Sequence, residues 1–329
     1  MDASFYKELT TTRHIKYRYF AAPGDATLPT LFFLHGFPST SYDWRHQVAF
    51  FRAQGYAVIA PDLLGHGGTF RPSDPMYYKY SAMSSDLIEI LDAEHVDKAI
   101  AIGHDWGSTM TARLASYYPD RFSGFAFLAV GYAPTFEGFD YEAVMAQIKQ
   151  ALGYETYGYW QFFGEDNADQ VIKAHIDSFI SIIFPTDPEV WKTDLCPRGG
   201  IKAWLLADKT TPLPSYLTEE DKAIITKSWL SGGLGGALNW YRTLLTGINP
   251  EDDKKINSER HVLRHPAFFG ACKKDYVCTP ALALAAMEPA CPNMTVREFN
   301  TGHWVQLEAA AELNAALLAW ITGILQARL

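Results

Sequence analysis

The segment AIGHDWGST, residues 101 to 109, sets Asp105 between Gly103 and Gly107, with an apolar run before it and a helix-forming stretch after it. A strand, a G-x-nucleophile-x-G turn and a helix form an elbow, in which the small flanking residues permit a strained backbone that presents the central side chain. The usual occupant is serine, whose oxygen attacks an acyl carbon once a histidine takes its proton. A carboxylate attacking an acyl group makes an anhydride that reverts. At a saturated carbon it displaces a leaving group and leaves a stable alkyl ester, so Asp105 points to alkyl transfer. Aspartate is also a common helix cap, and the motif alone leaves that structural role open.

Two more stretches bear on the choice. TGHW carries His303 after the final strand-like run, and ACKKDYVCTP carries Asp275 after the run before it. The chain order Asp105, Asp275, His303 is that of nucleophile, acid and base, with Asp275 fixing the tautomer of His303 and offsetting its charge when protonated. LHGFPST follows the run TLFFL, and its loop can present the Phe37 N–H beside that of Trp106 as an oxyanion hole. In an aspartate-based enzyme those donors serve the second half-reaction, when water activated by His303 attacks the ester carbonyl on Asp105. His35, Pro38, His66 and His104 read as loop supports.

The elements that would position these residues alternate in type. IKYRYF, TLFFLHG, AVIAPDL, AIAIGHD, GFAFLAV, AFFGACKK and TVREFN read as strands, the last six as short buried ones. Met83, Leu87, Ile90 and Leu91 recur at helical spacing, as do Leu313, Leu317, Trp320, Ile321 and Ile324 in a terminal helix. The pattern is α/β, with a mostly parallel sheet flanked by helices. It breaks near residue 133, where a long, aromatic-rich and mostly helical section begins. The expected organisation is a core over 1–132, an inserted helical cap over 133–248 and the rest of the core over 249–329.

LHGFP, GHDWG, KKDYV and GHWVQLE, in this order and with a helical insertion before the acid, resemble the soluble epoxide hydrolases of the α/β-hydrolase superfamily. The similarity runs from about residue 12 to the end. It implies conversion of epoxides to vicinal diols, with two ring-opening tyrosines on the cap. LNWYR maps one of them to Tyr241. YGYWQFF maps the other to Tyr159, with Tyr154 and Tyr157 as alternatives close by. Independently of the resemblance, epoxide opening leaves an alkoxide, and a phenol of pKa about 10 can donate to it.

A haloalkane dehalogenase shares the aspartate elbow followed by tryptophan, but its halide needs N–H donors, and Phe37 stands where an asparagine commonly supplies one. An inactive ligand-binding protein on this scaffold would have lost a catalytic position, and here each is filled. The absence of any G-x-S-x-G argues against an esterase. No metal or organic cofactor is implied, since side chains supply every role. The implied partners are a small apolar or aromatic epoxide and water.

Across 329 residues, 48% are hydrophobic and 20% charged, which suits a packed globular chain. A net charge of −9 without a basic run argues against nucleic acid and anionic lipid. No apolar leader or run of some twenty apolar residues is legible, so neither secretion nor a membrane span is expected. Cys196, Cys272, Cys278 and Cys291 lack metal-site spacing and fit a reducing cytoplasm. The terminal Ala327, Arg328 and Leu329 resemble a peroxisomal address, which is a second destination.

Overall fold

The computed structural model describes residues 1–327; of the peroxisome-like tripeptide, Arg328 and Leu329 lie outside the described residues. One eight-stranded sheet has the order β1-β2-β4-β3-β5-β6-β7-β8. The strands are β1 (Tyr6–Thr10), β2 (Lys16–Ala22), β3 (Thr30–Leu34), β4 (Val58–Pro61), β5 (Ala99–His104), β6 (Phe122–Leu128), β7 (Ala267–Cys272) and β8 (Met294–Phe299). β2 pairs antiparallel with β1 and β4, and every other pairing is parallel. This is the mostly parallel α/β architecture that the alternating pattern predicts.

The central strands are apolar along their whole length because both faces of the sheet are covered. On β3, Phe32 and Leu34 join one buried cluster while Leu31 and Phe33 join the other, on the opposite face. The helix Ala310–Gln326 buries Leu313, Leu317, Trp320, Ile321 and Ile324, and the helix Tyr80–Ala93 buries Met83, Leu87, Ile90 and Leu91. Among the described residues no helix is long and apolar enough to cross a membrane.

The sequence reading departs from the structure at both edges of the sheet. β1, with the sequence YKELT, has no apolar run and becomes a strand through its pairing with β2. TVREFN is a strand but not a buried one: Thr295, Val296, Arg297 and Glu298 are exposed and Phe299 alone is buried. β8 ends the sheet and has a neighbour on one side only, so its polar side chains meet solvent.

Between β6 and β7 the described chain is helical, from Tyr141–Leu152 to Ile248–Asp253, without a strand. Both ends of this insertion are tied to one side chain. Arg113, fully buried on the helix Trp106–Tyr117, forks onto Asp253 through Nε–Oδ1 and Nη2–Oδ2 contacts of 2.8 and 2.6 Å. The same guanidinium donates to the Ala133 carbonyl at 2.6 Å, and Asp253 accepts from the Phe136 N–H at 2.7 Å. Bidentate geometry together with full satisfaction of the carboxylate is what lets such a pair survive burial.

The elbow tolerates no side chain at either glycine, two positions before and after its central residue. A Cβ on Gly107 would lie 1.9 Å from the Leu34 carbonyl oxygen, and one on Gly103 would lie 2.3 Å from that of Gly107. Gly107→Ala and Gly103→Ala should each cost about 3 kcal/mol or more, because backbone is what must move. Gly323→Ala, whose Cβ would meet nothing within 4 Å, should be neutral or stabilising by up to about 1 kcal/mol. Thermal melts of the three variants measure this; equal melting temperatures would contradict the close packing at the elbow.

Candidate active site

Asp105 directly follows β5, with φ 56° and ψ −125°, a conformation that few residues other than glycine adopt and that costs about 1–3 kcal/mol. It precedes the helix Trp106–Tyr117, yet its side chain makes no capping bond to that helix. The carboxylate faces the loop after β3 instead. Its Oδ1 accepts from the Phe37 N–H at 2.8 Å, and Gly36 packs so near that a Cβ there would sit 2.2 Å from the same oxygen. The other oxygen, Oδ2, lies 3.6 Å from Nε2 of His303.

Asp275, in the turn after β7, receives the Nδ1–H of His303 on Oδ2 at 2.6 Å. Its Oδ1 accepts the Val277 and Cys278 N–H groups, both at 2.9 Å, which fixes the carboxylate by a local turn. Nδ1 being the donor, the neutral tautomer of His303 offers its Nε2 lone pair toward Asp105. Asp105, Asp275 and His303 thus come together from the carboxyl ends of β5, β7 and β8.

Two of the histidines read as loop supports, His35 and His104, have both ring nitrogens hydrogen-bonded. His35 accepts the Leu63 N–H on Nε2 and donates from Nδ1 to the Gly36 carbonyl, both at 2.8 Å, bracing the loop that carries Phe37. His104 accepts from Gln306 on Nδ1 at 3.2 Å and donates from Nε2 to the His303 carbonyl at 2.8 Å. Burial, then the charge of His303, drive the His104 pKa down to about 3, which keeps it neutral.

Burial by itself lowers the basicity of His303, but the charge of Asp275, the Asp105 carboxylate 3.6 Å away and the hydrogen bond to Asp275 outweigh it and raise the pKa to about 10. For Asp105, burial raises the pKa; the hydrogen bond and charge of His303 and the Trp106 amide overcome this and hold the group below the ordinary carboxylate value. The resting pair is a carboxylate beside an imidazolium.

Tyr159 and Tyr241 are both buried, with ring centroids 5.9 Å apart, and Tyr241 sits edge-on to Trp106 at 5.2 Å and to Phe37 at 5.1 Å. Burial first, with the charge of Asp105 contributing, pushes both phenols well above 10, so they hold their protons. The alternatives are placed differently. Tyr154 donates its hydroxyl to the Tyr276 carbonyl at 2.8 Å, and Tyr157 lines the wide cavity described below without reaching the narrow one. Tyr159 alone of the three borders the narrow cavity that Asp105, His303 and Tyr241 also line.

Two cavities border Asp105. A narrow one of about 30 Å³ is walled by Phe37, Phe163, Trp191, Leu195 and Trp304 beside the residues just named. A wide one of about 520 Å³ runs past Trp106, Phe136, Phe139 and Trp160. Asp275, Cys278 and His303 place metal-capable atoms within 4.8 Å of one another. Nδ1 and Asp275 are already spent on each other, and burial followed by the charges of Asp275 and Asp105 keeps the Cys278 thiol protonated. That favours a hydrogen-bonded triad over a chelate.

Sequence reasoning passed over Glu308, which lies within GHWVQLE. It accepts the Gly302 N–H at 2.7 Å and the Trp304 N–H at 3.0 Å, clamping the backbone on both sides of His303. A carboxylate five residues after a loop histidine, at the start of a helix, was the available signal. Arg113 and Asp253 left none, since their 140-residue separation is closed only by the fold.

Residues 29–310 match the family model for the alpha/beta hydrolase fold. An epoxide hydrolase of Caballeronia sordidicola is 30% identical over 310 residues, covering 90% of this chain and 88% of its own. Among solved structures, an epoxide hydrolase from an endophytic Streptomyces superposes with a TM-score of 0.84 at 27% identity, covering 98% of this chain and 96% of that one. Epoxide hydrolase A from Mycobacterium thermoresistibile gives 0.79 at 28% identity, covering 97% and 98%.

The electrostatic arrangement is open to direct measurement. The pKa of His303 should lie well above 6.5 when its ring signals are followed by NMR. Asp105→Asn removes one of the two carboxylates that raise it and should lower it by about one unit or more. Glu308→Gln, which leaves both carboxylates in place, should shift it far less. An unchanged titration in Asp105→Asn would show that Asp275 alone sets the charge state.

Proposed function

The chain belongs to the epoxide hydrolases of the alpha/beta-hydrolase family, and we propose that it converts epoxides to vicinal diols through an alkyl ester on Asp105 that His303 then helps to hydrolyse. The observation that carries this reading is the division of labour on one carboxylate. Oδ1 is held by the Phe37 N–H, while Oδ2 faces His303 in a cavity bordered by two protonated phenols.

In the first half-reaction Oδ2 forms a bond to an epoxide carbon, the ring C–O bond breaks, and the leaving oxygen takes a proton from Tyr159 or Tyr241. Phenols held above their ordinary pKa do not ionise beforehand, yet an alkoxide is basic enough to draw their proton. The new ester carries no charge, so the support that Asp105 gave to the imidazolium disappears and the basicity of His303 falls. The proton made labile there can pass to the phenolate, leaving His303 neutral when a base is needed.

In the second half-reaction water loses a proton to Nε2 as its oxygen adds to Cγ of Asp105, and negative charge develops on Oδ1 at the Phe37 and Trp106 amides. Collapse expels the diol oxygen, which takes that proton from Nε2, and the carboxylic acid left on Asp105 gives the second water proton to His303, restoring the resting carboxylate and imidazolium. Asp275 orients the ring throughout. The helical segment over 133–248 acts as the cap that supplies both tyrosines and excludes solvent. The substrate is a small apolar or aromatic epoxide, since rings and aliphatic side chains dominate the wide cavity. Four unpaired cysteines suit a cytoplasmic setting.

Asp105→Ala should abolish diol formation from styrene oxide, and near-parental turnover would favour direct attack by water. His303→Gln should alkylate but not hydrolyse, so mass spectrometry should find the Asp105 peptide heavier by one epoxide. Substrate consumption with an unmodified peptide would refute the ester. Rapid mixing should show Tyr159→Phe and Tyr241→Phe each slowing alkylation by about ten- to a thousandfold, with hydrolysis of a preformed ester much less affected. Halide release from a 1-haloalkane by a protein inert toward epoxides would overturn the whole reading.

In the alkylation step, Asp105 must be ionised, and its lowered pKa keeps that step active below the pH at which an ordinary aspartate protonates. Ester hydrolysis instead rises with pH through the pKa of His303 in the alkyl-enzyme, which lies below that of the free enzyme. Single-turnover rates against pH should show these two separate profiles.

A further inference from the structure

The wide and narrow cavities share Asp105 and Tyr159 as walls, so the reacting ring must lie where both begin. From their disparity, about 520 Å³ against about 30 Å³, and resting on the epoxide-hydrolase reading, we propose that the substrates are epoxides with one bulky or extended apolar arm. The other ring carbon bears hydrogen or at most a methyl group.

The narrow side holds at most about two or three water-sized bodies, on the scale of about 10–15 Å³ of such space per water. It is also the side that His303 lines, so the hydrolytic water must use it. A phenyl or alkyl group placed there would clash with the wall and displace the reactant of the second step. The wall is fixed as well as close. Trp191 and Trp304 are buried, and their indole N–H groups donate to the Ile182 and Ile183 carbonyls at 2.6 and 2.8 Å. Neither ring can swing aside without stranding a buried donor.

The wide side is built in the opposite manner. It lies between the helix Tyr141–Leu152, which contributes Val144 and Ile148, and the helix Pro280–Met287, which contributes Leu282, Ala283 and Ala286. Leu282 is 36% exposed and Gln147 is also at the surface, so this limb opens to solvent between the two helices. An arm longer than the limb can extend outward, so the limit falls on the opposite ring substituent.

The test compares styrene oxide, trans-β-methylstyrene oxide and trans-stilbene oxide with the parent protein. Relative to styrene oxide, kcat/KM should fall by less than about tenfold for the methyl compound and by at least about a hundredfold for the stilbene oxide. Ester trapping in His303→Gln, which reads alkylation alone, should give the same order. Equal rates within about threefold for all three would overturn the proposal. Leu195→Ala, on the narrow wall, should raise the stilbene-to-styrene ratio by at least about tenfold.

Should that variant not fold, Ala283→Phe on the wide side serves. It should depress styrene oxide relative to propylene oxide, and an unchanged ratio counts against the proposal. Turnover of styrene oxide with the wrong size ranking refutes the size rule alone. No diol and no Asp105 adduct from any of the epoxides removes the epoxide-hydrolase reading, and this one with it.

Discussion

Everything at the site depends on a backbone conformation that Asp105 would not adopt by itself. With φ at 56° the side chain leaves the sheet at the tip of β5, and the strain is sustained because its neighbours permit nothing else. Gly103 and Gly107 let β5, the following helix and the end of β3 approach within distances that exclude a Cβ, and Gly36 lets the next loop lie against the carboxylate. The Phe37 N–H is thereby delivered to Oδ1 without any flexible side chain. Backbone donors of this kind need no reorganisation when charge shifts in front of them.

Charge at the site is arranged so that the state of each group depends on its neighbour. A free imidazole near neutrality would be a ready base, yet two carboxylates hold His303 protonated in the resting state. In the proposed ester one of those carboxylates loses its charge, which would release it. The buried phenols are kept protonated by burial and by the negative charge of Asp105. The arrangement is self-consistent around one anion, which explains why the surroundings of a single oxygen pair are so crowded with donors.

Much of this was legible in the chain. The central strands declared themselves as apolar runs because parallel strands are covered on both faces, and Asp105 and Asp275 sat after such runs, whereas His303 followed the edge strand β8. What escaped detection lacked local pattern. β1 is a strand by virtue of pairing, and β8 looked like an interior strand although it is an edge. Around YGYWQFF, several tyrosines compete at nearly equal spacing. Only the three-dimensional paths of Tyr154, spent on a carbonyl, and Tyr157, facing the wide cavity alone, separate them from Tyr159. Glu308 and Gln306 act on His303 through its backbone and the His104 ring, and such indirect support leaves no motif.

Arg113 gathers the Ala133 carbonyl at the start of the insertion and Asp253 at its end onto the helix that follows the nucleophile. A segment whose entrance and exit share one anchor presents the rest of the molecule with a constant footprint. Helices between those two points can lengthen, shorten or be exchanged during evolution while the elbow beneath them stays in register. The ion pair thus uncouples the shape of the roof from the position of the floor beneath it.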